Sequence, residues 1–209
     1  NYGNLYNLFK HTYTPWEWHE DIFELANKLN LEYFSSPFDE TSVEFLDKLD
    51  VKAFKIASPE ITDVNLILKC IEKKKPLIVS LGCAEFKDID LLIEICKKKN
   101  FHDLILLKCS ASYPAPLDSL NLLTIKDLIQ RYKCLVGLSC HSLEEIVPVI
   151  AVTLGAKMVE KHLVLEGDTT PDSFFSLSPQ KFERLVTLIR DTEKTIGNVD
   201  YNLPNSVKE

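Results

Sequence analysis

The chain runs to 209 residues, 45% apolar and 26% charged, with a net charge of −7; this is enough for one domain, residues 1–209, with a sizeable core. The acidic balance, with no basic stripe to neutralise phosphates, excludes a nucleic-acid binder. No apolar run approaches a membrane span, no signal peptide opens the chain, and six cysteines without zinc-like spacing read as reduced thiols, so a cytoplasmic protein is expected.

Strand-like and helical patterns alternate along the chain. A helix over about Trp16–Leu29 comes first, with Thr14 as N-cap and Pro15 in its first turn. Strand Leu31–Ser35 and helix Ser42–Leu49 follow, then strand Ala53–Ala57 and helix Asp63–Lys74. Strand Leu77–Leu81 precedes helix Phe86–Lys98, strand Leu104–Cys109 precedes helix Asn121–Tyr132, and strand Leu135–Ser139 precedes helix Ser142–Leu154. Strand Lys157–Leu163 leads to a last helix, Pro179–Ile196, that starts after Ser178 and stops at Gly197. The lysine runs Lys73–Lys75 and Lys97–Lys99 sit at helix ends, where they complement the helix dipoles. A βα unit recurring roughly every 22–30 residues gives a parallel sheet. No GxGxxG turn supports a dinucleotide-binding sheet, which favours a barrel. A (β/α)8 TIM barrel needs eight strands and six are legible, so the α/β fold is read as an incomplete barrel. Its abrupt opening on Asn1-Tyr-Gly fits the loss of two upstream units.

Parallel barrel strands deliver their C-terminal ends to one face, where such folds hold their active sites. His141 ends Cys134-Leu-Val-Gly-Leu-Ser-Cys-His141 and His162 ends Lys157-Met-Val-Glu-Lys-His162. Two imidazoles there suit a divalent metal with open positions, or are two histidines bonded locally. Lys55 and Lys108 lie within apolar strands, where an ammonium needs an anion, serves as a Schiff-base amine, or snorkels to solvent. Lys55-Ile-Ala-Ser-Pro-Glu60 places a cation, the Ser58 hydroxyl and the Glu60 carboxylate at one exit, suited to phosphate binding beside a proton-handling group. Ser36, Ser80 and Ser139 occupy neighbouring exits. Alternation puts Ser139 and His141 on one side of their strand and Cys140 on the other; His162 shares a side with Glu160, while Lys161 faces away. Asp172, on the loop after the last strand, reaches over the mouth or caps a surface turn. Tyr113 offers a hydroxyl to substrate or packs a turn. Trp16 and Trp18 read as core or interface anchors, and His19 as a structural group.

Phe34-Ser-Ser-Pro-Phe-Asp39, Lys55-Ile-Ala-Ser-Pro-Glu60, Lys108-Cys-Ser-Ala-Ser-Tyr-Pro114, Gly137-Leu-Ser-Cys-His141 and Glu160-Lys-His162 together resemble the sialic acid synthase family, in order, from about Leu5 to Tyr201. Thr14-Pro-Trp-Glu-Trp-His19 and Ile56-Ala-Ser-Pro-Glu-Ile-Thr-Asp63 look most like its pseudaminic acid synthase branch. The resemblance implies condensation of phosphoenolpyruvate with an N-acylated hexose aldehyde, such as a 2,4-diacetamido-2,4,6-trideoxy-altrose, to a nonulosonic acid and phosphate. By that resemblance His141 and His162 hold Mn2+ or Mg2+, and Lys55, Ser36, Ser58, Ser80 and Ser139 bind phosphoenolpyruvate. Glu60 manages protons, while Tyr113 and Asp172 contact the sugar. Two departures are visible: the family has aspartate where Cys140 stands and glycines near Thr169 and Thr170. It also draws a lysine, a glutamate and an asparagine from its first strands, and an arginine from a C-terminal antifreeze-like domain of the partner in a homodimer. Without these regions the chain by itself is expected to be a poor catalyst. Three alternatives stand beside this reading: an N-acetylneuraminate or legionaminate synthase, a Schiff-base aldolase using Lys55 or Lys108, and a non-catalytic binding remnant.

Overall fold

Strands covered on both faces by protein need apolar residues at nearly every position, and the runs around Phe54, Ile78, Leu106 and Leu138 supply them. In a computed structural model, which describes residues 4–203, they form a five-stranded parallel sheet: β1 (Phe54–Ile56), β2 (Leu77–Ser80), β3 (Leu104–Cys109), β4 (Leu135–Cys140) and β5 (Val159–Lys161), in that order. The sheet curls into an incomplete TIM-type barrel. The opening Asn1-Tyr-Gly lies outside the described residues.

Eight α-helices are described: α1 (Leu5–Thr12), α2 (His19–Lys28), α3 (Glu40–Lys48), α4 (Val64–Glu72), α5 (Phe86–Lys98), α6 (Thr124–Tyr132), α7 (Ile146–Thr153) and α8 (Pro179–Ile196). Their starts follow local chemistry. Asp39 and Ser42 form a capping box at α3, Asp63 accepts the Leu66 N–H at α4, and Ser178 accepts the Lys181 N–H at α8. Gly197 ends α8 at φ 51°.

Some elements differ from the sequence pattern. Among the described residues Leu31–Ser35 makes a single parallel bridge, Ser35 to Phe54, at the β1 edge; a strand with one neighbour has half the ladder to hold it extended. Trp16–Trp18 is a 3-10 turn flanked by Pro15, and only then does α2 begin, so Thr14 caps nothing. α1 has no counterpart in the sequence pattern, and α7 starts four residues later than the pattern from Ser142. Trp16 stacks on Phe45 with ring centroids 4.3 Å apart, and buried His19 contacts the Pro15 carbonyl and packs edge-on to Phe23 and Phe45.

Strand alternation sorts the sheet into two faces. Phe54, Ile56, Leu77, Val79, Leu104, Leu106, Val136 and Leu138 join the large core shared with the helices. Ala53, Ile78 and Leu107, with Ile105 and Met158, form a smaller cluster on the inner face. Gly137 lies in that inner layer because nothing larger fits: a Cβ there would stand 2.6 Å from Leu107 Cδ2 and 2.6 Å from the Met158 carbonyl oxygen. Toward the C-terminal ends the inner face turns polar. Of the eight buried polar or charged residues described, five are Lys55, Ser58, Ser80, Ser139 and His141, which locates the site where burial of polarity is concentrated.

Candidate active site at the strand ends

Lys55 is 6% exposed, and an ammonium so deep requires partners. Its Nζ donates to Ser80 Oγ at 2.8 Å and to the Ile56 carbonyl at 3.1 Å. Glu160 Oε2 lies 3.6 Å away, and Glu160 Oε1 accepts the Ser139 hydroxyl at 2.6 Å. Residues from β1, β2, β4 and β5 thus meet through one cation and one carboxylate. Ser58 is fixed from the next loop, its Oγ accepting the Gly82 N–H at 3.0 Å. Ser36 is half-buried beyond the β1 edge, and no hydrogen bond joins it to this group among the described residues. Alternation places Glu160 beside His162, but its reach to Lys55 depends on curvature that brings β5 toward β1.

Beyond this cluster stand the histidines, with ring centroids 5.3 Å apart. Nδ1 of His141 lies 2.8 Å from the Ser110 carbonyl, the geometry of a donated hydrogen bond that leaves Nε2 as the lone-pair nitrogen. Burial works against its charged form, yet the Cys109 thiol and the Ser110 carbonyl outweigh this and raise its pKa. His162 moves the other way: burial and the neighbouring His141 push its pKa down. Its Nδ1 sits 3.4 Å from Asp172 Oδ2. Phe175 packs edge-on against both rings, at 4.7 Å from His162 and 6.0 Å from His141. Tyr113 lies over His141 at 4.2 Å. Neither Phe175 nor Cys109 was singled out from sequence; a loop phenylalanine carries no sign of the ring it will meet.

No group of three or more His, Cys, Asp or Glu suited to a metal occurs among the described residues. Two imidazoles at adjacent strand ends, one oriented from behind by a carbonyl, nevertheless fit a first-row divalent ion that keeps other positions for water and substrate. They suit Mn2+ better than Mg2+, which prefers oxygen donors.

Glu60 borders a cavity of about 920 Å³ that His162, Asp172, Ser176, Phe38 and residues of α1 also line. Its Oε2 is buried without a hydrogen-bond partner among the described residues, and burial raises its pKa, against smaller opposing pulls from its own backbone N–H and from Lys55. Lys108 is not part of the site. It shares the helix-facing side of β3 with Leu106, and its Nζ donates to the Cys109 carbonyl at 2.8 Å. That placement removes Lys108 as a Schiff-base candidate. Cys140 and Lys161 likewise face away from the histidines, Lys161 Nζ lying 3.8 Å from Cys140 Sγ and donating to the Ser142 carbonyl.

The NeuB family profile matches residues 1–201. The chain belongs to the NeuB family. It is 40% identical over 195 residues to a pseudaminic acid synthase of Helicobacter pylori, covering 93% of this chain and 57% of that protein. It is also 40% identical over 204 residues to a pseudaminic acid synthase of Campylobacter jejuni, covering 97% and 60%. A crystal structure of N-acetylneuraminic acid synthetase from Leptospira borgpetersenii, in complex with citrate, superposes with a TM-score of 0.88 at 30% identity over 96% of this chain and 70% of that one. The chain thus spans under two thirds of the length of the two pseudaminic acid synthases. Among its described residues no helix is long and apolar enough to cross a membrane.

Proposed function

We propose that this chain forms the greater part of a synthase barrel that condenses phosphoenolpyruvate with an N-acylated hexose aldehyde, giving a nonulosonic acid of the pseudaminic type and phosphate. The observation that carries the reading is the buried Lys55 ammonium, ringed by Ser80, Ser139 and Glu160 directly below a histidine pair. The two relatives at 40% identity, both pseudaminic acid synthases, support the choice of sugar.

In this reading Lys55, Ser58, Ser80 and Ser139, with Ser36 at the rim, bind the phosphate and carboxylate of phosphoenolpyruvate by charge-assisted hydrogen bonds. Tyr113 and Asp172 hold the sugar at the mouth of the cavity. Carbon–carbon bond formation turns the aldehyde oxygen into a hydroxyl, which requires a proton. Glu60, whose burial favours its protonated form, is the donor within the cavity. Water then adds at the second carbon of phosphoenolpyruvate and phosphate leaves. Phe175 and Tyr113 shield the imidazoles from bulk solvent. His141 and His162 would hold a divalent cation, Mn2+ or Mg2+, which when bound supplies Lewis acidity toward the aldehyde. The full-length form acts as a homodimer in this reading.

The test is synthase activity of the full-length form. Activity should vanish with a chelator and return with manganese, and His141→Ala should lose it by about a hundredfold or more. Persistence of activity in metal-free His141→Ala, or trapping of a pyruvoyl adduct on Lys55 by borohydride, would overturn the mechanism.

A further inference from the structure

The Lys55 ammonium is fully engaged inside the protein. Ser80 Oγ and the Ile56 carbonyl take two of its donors at 2.8 and 3.1 Å, and Glu160 Oε2 faces it at 3.6 Å. The other oxygen of the same carboxylate accepts the Ser139 hydroxyl at 2.6 Å. One carboxylate therefore bridges a cation on β1 and a hydroxyl on β4. Those are two donors that a bound oxyanion would itself use.

The two partners are unequally held. The Lys55 side chain is 8% exposed, whereas that of Glu160 is 36% exposed. The lysine is part of the wall; the glutamate has room to swing out on its flexible stem, on the side of β5 that carries His162. A buried ammonium left alone would be costly, and the carboxylate removes that cost. An incoming anion must then break this pair before it can bind.

We propose that Glu160 is an internal stand-in for the anionic substrate: it occupies the Lys55–Ser139 site until a phosphate or carboxylate displaces it, and so sets the affinity of that site. This rests on the reading that Lys55 and Ser139 bind the anion. Glu160 is in these terms an affinity-setting residue that acts through Lys55.

Glu160→Gln tests it. The amide keeps an oxygen for Ser139 but no charge for Lys55. The metal-free full chain is titrated with inorganic phosphate by calorimetry, and its thermal melt is followed with and without phosphate. The variant should bind phosphate about two- to fivefold more tightly than the wild type, the scale of a partly exposed ion pair. Without phosphate it should melt lower than wild type, and phosphate should raise its melting temperature by more. A carboxylate that merely positions Lys55 and Ser139 would make the variant bind more weakly; weaker or unchanged binding overturns the proposal. Phosphate bound by neither chain, with both folded by circular dichroism, overturns the anion site itself together with its stand-in. Should Glu160→Gln fail to fold, Glu160→Asp, one methylene shorter, is measured instead. It should also bind phosphate more tightly, by a smaller factor, and equal or weaker binding again overturns the proposal.

Discussion

Replacing Gly137 by alanine should destabilise the barrel by about 3 kcal/mol, because the added methyl has no space on any side. Its Cβ would stand 2.6 Å from Leu107 Cδ2, 2.6 Å from the Met158 carbonyl oxygen and 2.9 Å from Met158 Cβ. The leucine tip can turn aside. The Met158 oxygen cannot, since it is backbone and accepts the Leu138 N–H at 2.9 Å, so β4 and β5 must part. Overpacking of a tight core costs about 1–3 kcal/mol, and a weakened ladder bond adds about 1 kcal/mol. Against this, alanine gains roughly 0.5–1 kcal/mol by restricting the unfolded chain. For a domain of this size 1 kcal/mol is about 2–4 °C, so the melting temperature should drop by roughly 6–12 °C. Urea unfolding followed by circular dichroism measures the same loss as a lower midpoint at unchanged slope. A loss below about 1 kcal/mol would show that β4 and β5 separate easily here and would refute the overpacking.

Two further outcomes can be checked on the same material. Burial pushes the Cys70 and Cys96 thiols up to about 12 and about 11, while Cys83 is exposed. A thiol reagent at pH 8 should therefore modify Cys83 in the native chain, and Cys70 and Cys96 only after unfolding; equally fast labelling of a Cys83→Ser chain would contradict this. Between α3 and α4, Lys69 and Lys73 hold the Glu44 carboxyl down at about 2, against an ordinary 4.5. A depressed carboxyl stabilises the fold above its unfolded pKa and loses that contribution as pH falls through the folded one. Melting temperature should accordingly decline between about pH 4.5 and pH 2, and Glu44→Gln should flatten part of that decline. An identical acid limb in the variant would show that the pair adds nothing.

The sequence by itself determined the parallel α/β architecture, because apolar runs of strand length separated by capped amphipathic helices have few other ways to bury both faces. It also determined which residues lie at strand ends and on which side: a period of two is a property of the extended backbone, so Ser139 and His141 had to share a face. Lys108 stands in an apolar run, but sequence alone does not show which face of the curled sheet is inner; alternation from Leu106 resolves it with the core in place. What only the tertiary structure decided is everything that crosses between distant strands. Lys55 and Glu160 are 105 positions apart in the chain and 3.6 Å apart in space. The Phe175 ring against His162, the Ser110 carbonyl behind His141 and the unpartnered oxygen of Glu60 are of the same kind. The single bridge at Ser35 belongs with them, since a residue's propensity for extended backbone does not tell how many neighbours it will find to pair with. These contacts depend on sheet curvature and loop path, which are set by packing summed over the whole core and not by any local pattern of residues.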